Sequence, residues 1–155
     1  MRLAEALSRR SDAQKRYQQL RSRIEASARY QEGEEPPEDA GALVTEALAL
    51  LDELEDLIRR INQTNAASEL EPGRTITDGI AERDVLRLRH ALLSGAAGAA
   101  AGTDQRSYRQ LRSELREIAA LSVGELRTRA DDVAERLRRL DTRIQQRNWE
   151  VDLLD

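Results

Sequence analysis

Cysteine and phenylalanine are both missing from this 155-residue chain, and aromatic residues make up only 3% of it. Without cysteine there can be no disulfide, no thiolate metal site and no thiol nucleophile. The one histidine, His90, excludes a multi-histidine zinc site within a single chain and gives a Ser-His-Asp triad little support. It shares helical spacing with Arg83 and Arg87, so it reads as an ordinary surface histidine on a polar face. Lysine is nearly absent too, since Lys15 is the only one among 25 basic residues. That bias toward arginine suits bidentate anion recognition, but GC-rich codon usage is the favoured explanation.

Long hydrophobic runs are also lacking. The least polar stretch, residues 94–102, is alanine and glycine, too short and too small to span a bilayer. Residues 1–7 read as the start of an amphipathic helix and not as a signal peptide. A cytoplasmic protein with no membrane contact is the expectation. No phosphate-binding loop, Gly-rich dinucleotide fingerprint or Gly-x-Ser-x-Gly turn occurs, and no Glu-x-x-His pair of the di-iron bundles. The sequence therefore predicts no cofactor and no catalytic residues.

What the chain does have is charge, at 35% of residues, and apolar side chains spaced by alternating steps of three and four. Leu3, Ala6, Ala13, Tyr17, Leu20 and Ile24 fall on one stripe, as do Leu43, Ala47, Leu50, Leu54, Leu57 and Ile61. Leu126, Ala130, Val133, Leu137, Leu140 and Ile144 form a third. This is the coiled-coil-like spacing of helices packed lengthwise at shallow angles. The length suits one domain over residues 1–155, with enough chain to bury a core.

The spacing predicts a first helix over residues 2–30, stopped by Gly33, Pro36 and Pro37, and a second over residues 40–65 that returns beside it. Residues 68–77 hold a Pro72-Gly73 turn between alternating segments, which predicts a small β-hairpin. Thr77 or Asp78 can cap a third, shorter helix through Ile80, Ala81, Val85, Leu88 and Leu92 that frays at Gly95, followed by a Gly/Ala-rich loop. Residues 106–121 allow either a helix or a strand. Ser122 and Glu125 form a capping box for a last long helix ending near Trp149, whose ring is expected to be buried. The predicted class is all-α, a bundle of three long antiparallel helices and one shorter one, with the hairpin as an excursion.

Polar residues interrupt these stripes in three places. Asn62 and Asn65 continue the line of Ile58 and Ile61, and Asn65 also suits a helix C-cap. Asp84 lies four residues from both Ile80 and Leu88, which places it at the edge of the core, where it needs an arginine, an amide or a cation. A structural Arg–Asp pair is favoured over a metal ligand there. Asp141, Gln145 and Asn148 share one edge of the last helix. Asn62, Asn65, Asp84, Asp141 and Asn148 are thus the candidate ligand-binding set, with any metal undefined.

Charge is divided unevenly: residues 1–30 hold eight basic and three acidic side chains, residues 31–60 ten acidic and two basic. Arg9, Arg10, Lys15, Arg16, Arg21, Arg23 and Arg29 give the first helix a basic surface that could grip RNA. The acidic second helix, the net charge of −4 and the scarcity of stacking aromatics disfavour nucleic acid.

Residues 1–7, the turn at 31–36, and the segments 57–65, 74–78 with 81–84, and 140–145 with 148–149 together resemble the septicolysin-like family of small bacterial proteins. The resemblance spans almost the whole chain and implies a helical fold with no established activity, hence no catalytic residues. The reading is a noncatalytic, self-associating helical scaffold or protein-binding module, a homo-oligomer by expectation. The alternative is a small-ligand or divalent-metal binding protein, or a hydrolase, built on the Asn/Asp set. RNA binding by the first helix is third.

Overall fold

A computed structural model describes residues 1–103 and 117–155. Four helices and one two-stranded antiparallel sheet follow in the order α1 (Leu3–Ser27), α2 (Ala40–Ala67), β1 (Glu69–Glu71), β2 (Arg74–Thr75), α3 (Ile76–Ala100) and α4 (Val123–Glu150). The expected all-α class with a small hairpin is the one observed. The chain divides into two compact units, residues 1–76 with 145–155, and residues 77–144.

In the first unit α1 and α2 form an antiparallel hairpin. Leu20 packs on Leu43 and Ala47, with Ile24 and Leu50 beside them, as the stripes require. Burying a leucine of this kind contributes about 1.5–3 kcal/mol. Arg16 and Arg23 of α1 reach Glu46 and Glu38, so charge opposition fixes the same register as the apolar contacts. Gly33 turns the chain at φ 90°, and Asp39 caps α2 by accepting from the Ala42 N–H at 3.0 Å. The β1–β2 hairpin pairs Glu69 with Thr75 and Glu71 with Arg74. Pro72 precedes Gly73 at φ 76°, the sequence and sign that a type II turn demands.

In the second unit α4 runs antiparallel to α3, since Arg83 near the start of α3 approaches Asp141 late in α4, while Leu92 and Leu93 further along α3 share a groove with Arg129 and Val133 earlier in α4. Ser122 accepts from the Glu125 N–H at 3.4 Å, one arm of the expected capping box.

Three expectations are corrected. Helix α3 does not fray at Gly95 but continues to Ala100. Alanine has the highest helix propensity, and five alanines between residues 91 and 100 outweigh two isolated glycines, each costing about 1 kcal/mol. Trp149 is 64% exposed, because its position on α4 falls off the stripe that buries Leu140 and Ile144. On α3 the core stripe is Ile76, Leu86 and Ala97, with His90 half-buried on the same side. Val85, Leu88 and Leu92 face outward instead. Of the undecided segment 106–121, residues 106–116 lie outside the described residues and 117–121 form no helix or strand.

Candidate functional site

Asp84 and Asp141 are brought together in the second unit, and two arginines hold them. Arg83 donates from Nε and Nη2 to Asp84 at 3.1 and 3.0 Å, and Arg87 approaches Asp84 at 3.7 Å. Across the groove Asp141 lies 3.6 Å from Arg87 and 4.0 Å from Arg83. Two carboxylates thus face two guanidiniums. The structural Arg–Asp pairing favoured for Asp84 is present, and Asp84 itself is exposed beside the outward face of Leu88. Pairs this open to solvent contribute about 0–1 kcal/mol each. Among the described residues, no cluster of three histidine, cysteine or carboxylate side chains could hold a metal ion.

Asn62, Asn65 and Asn148 belong to the first unit. Asn62 is exposed on α2, while Asn65 and Asn148 are half-buried. The Oδ1 of Asn148 is buried and accepts no hydrogen bond, as is true of Arg10 Nε, which donates none. Arg10 sits on the core-facing side of α1 between Ala6 and Ala13, a polar interruption that the apolar stripe passed over.

The most densely bonded polar arrangement in this unit was not foreseen. Thr64, fully buried, donates its hydroxyl to the Arg60 carbonyl at 2.8 Å and accepts the Leu154 N–H at 3.0 Å. Arg60 donates from Nε to the Leu154 carbonyl at 2.8 Å and meets Asp155 at 3.0 Å. Leu3 donates to the Val151 carbonyl and Leu153 to the Met1 carbonyl, both at 2.9 Å, around an antiparallel bridge of Arg2 with Asp152. Arg147 adds a bond from Nε to the Glu69 carbonyl at 2.7 Å. Residues 147–155 are thereby clasped to α2, β1 and residues 1–3. The clasp satisfies backbone groups and encloses Leu3, Ile61 and Leu153.

The feature that does open to the outside is apolar. Ala81, Val85, Leu88, Leu92, Gly95 and Ala99 step by four and three along α3, and every one is exposed. Val85 is 46% exposed, Leu88 and Leu92 each 71%. α3 therefore carries two heptad stripes on roughly opposite faces, one in the core and one facing out. Beside the outward stripe a groove of about 420 Å³ runs between α3 and α4, with Leu93 and Val133 in it and Arg89 and Arg129 at its rim. Neither of these arginines makes an ion pair among the described residues.

A helical fold with a small hairpin, neutralised acidic pairs and an uncovered apolar stripe defines a class of protein by its surface and assigns no reaction. Residues 10–153 match the Family of unknown function (DUF6847), and the chain belongs to that family. It is also similar to a protein of known crystal structure, described as a functionally unknown conserved protein from Corynebacterium diphtheriae. The two are 37% identical, the match covers 99% of each chain, and the TM-score is 0.92. No curated protein matches the chain. Among the described residues no helix is long and apolar enough to cross a membrane.

Proposed function

We propose that this is a noncatalytic helical protein that acts by self-association, and that the outward stripe of α3 is the surface through which it does so. The exposure of Val85, Leu88 and Leu92 at heptad spacing carries the proposal. Single exposed leucines are ordinary, but a continuous line of them on a long helix marks an interaction face. Covering a leucine side chain contributes about 1.5–3 kcal/mol before the costs of association. Gly95 and Ala99 continue the line with small side chains that let a second helix approach closely. The setting belonging to this proposal is cytoplasmic, and the septicolysin-like resemblance adds no cytolytic step to it.

The ligand or metal reading draws less support, because Asp84 and Asp141 already face Arg83 and Arg87. RNA binding draws less as well, since Arg16, Arg21 and Arg23 are each paired with a glutamate. Sedimentation velocity over a wide range of protein concentration tests the proposal. The wild type is expected above the 17.5 kDa of one chain, and Leu88→Asp at that mass with unchanged helix content. A wild type that stays at the single-chain mass at every concentration overturns it.

A further inference from the structure

We infer that the face which covers the α3 stripe is not another α3 but the α2 stripe of a second copy, so that the chains associate head to tail. This rests on the self-association proposed above and adds the identity of the receiving surface. Helix α2 also has two heptad stripes. Leu43, Ala47 and Ile61 are buried with the α1–α2 core. Val44, Leu48, Leu51 and Ile58 form a second line at steps of four, three and seven, and all four are exposed, Leu48 at 59%. Glu55 fills the position left between Leu51 and Ile58, and Asn62 extends the line by one more step, both exposed.

Two properties match this line to α3. The first is length: from Val44 to Asn62, and from Ala81 to Ala99, the lines each cover eighteen steps, about 27 Å of helix. The second is charge. Glu55 within the α2 stripe and Asp52 along its border have no ion-pair partner among the described residues. On α3 the stripe is bordered by Arg89, with Arg129 and Asp132 across the adjoining groove, and neither arginine has an ion-pair partner among the described residues. Asp84, on the other border, is already held by Arg83 and Arg87. An α2–α2 contact would set unpaired carboxylates against their own copies, and an α3–α3 contact would bring the unpaired arginines together. An α2–α3 contact joins opposite charges and apolar surface at once. Because the two faces differ, the contact is heterologous, and repeated copies extend into a ring or an open chain.

Complementation between two variants tests this with the full chain. Leu48→Asp disables the α2 face and Leu88→Asp the α3 face, and both residues are exposed, so the helices should persist by circular dichroism. Each variant alone is expected at the single-chain mass in sedimentation velocity. Mixed in equal amounts they should give a species of two chains and no larger, since each supplies the face the other lacks. A Leu48→Asp variant that associates as the wild type does overturns the α2 assignment while leaving self-association standing. A wild type of single-chain mass instead removes the proposal beneath it. As a second measurement that keeps the hydrophobic faces intact, Arg89→Glu should weaken association, and combining it with Glu55→Arg should restore it; absence of restoration counts against the pairing.

Discussion

Leu86 and Leu88 stand two residues apart on α3, and their truncation separates the two stripes. Leu86 is 1% exposed and Leu88 71%. Replacing Leu86 by alanine removes buried methyl groups and leaves a cavity, which costs about 2–5 kcal/mol. The same change at Leu88 leaves no cavity in a single chain, and surface changes of that kind stay within about 0.5 kcal/mol. Urea unfolding followed by circular dichroism, at protein concentrations dilute enough to hold the chain single, reads both. The chain has two compact units, so a second probe, the exposed Trp149, is needed to show whether they unfold together. Leu86→Ala should lower the midpoint sharply and Leu88→Ala hardly at all. Comparable losses at both positions would refute the assignment of the outward face, and with it the interaction surface built on it.

The clasp predicts that Thr64→Val, nearly isosteric, loses the acceptor for the part-buried Leu154 N–H bond and costs about 0.5–1.5 kcal/mol; hydrogen exchange at Leu154 should accelerate, and an unchanged rate would count against the bond. The hydrogen bond from Arg23 holds the Glu38 carboxyl below the usual glutamate range and raises the Arg23 guanidinium further, while bonds from Arg147 and then Gln146 lower Glu150. Carboxyls depressed in the fold add stability that is complete above their unfolded pKa and is lost as pH falls through the folded one. Urea midpoints should therefore decline on the acid side of the carboxylate range, more gently for Glu38→Gln than for the wild type; identical profiles would contradict the pairing. Gly73→Val should weaken the hairpin, since φ at this position is 76°, and a variant as stable as the wild type would contradict the turn assignment.

Most of the fold could be read from spacing. The core stripes of α1, α2 and α4 lie where the steps of three and four put them, because on α1 and α4 one apolar face is plainly stronger than the rest and on α2 the core stripe is unbroken where the second is interrupted by Glu55. On α3 the rule fails for a physical reason. Its residues satisfy heptad spacing twice, through Leu86 and Ala97 and through Val85, Leu88 and Leu92, and periodicity gives the angle between stripes without saying which one is covered. The larger side chains favoured the wrong stripe. Spacing also ends α3 too early, because an isolated glycine such as Gly95 does not stop a helix whose neighbouring residues are alanines. Of the polar residues, Asp84 and Asp141 meet through Arg83 and Arg87, one residue before Asp84 and three after it, a pairing that adjacent charge makes visible. The Thr64 clasp depends on bonds to backbone atoms ninety residues away, and no side-chain pattern encodes those.

A native mass spectrum of the untagged wild-type chain is the most direct test of the central claim. Multiples of 17.5 kDa that collapse to the single-chain mass in Leu88→Asp are the predicted result. A wild-type spectrum holding only the single chain, or an assembly that Leu88→Asp leaves intact, would contradict an interaction surface on α3.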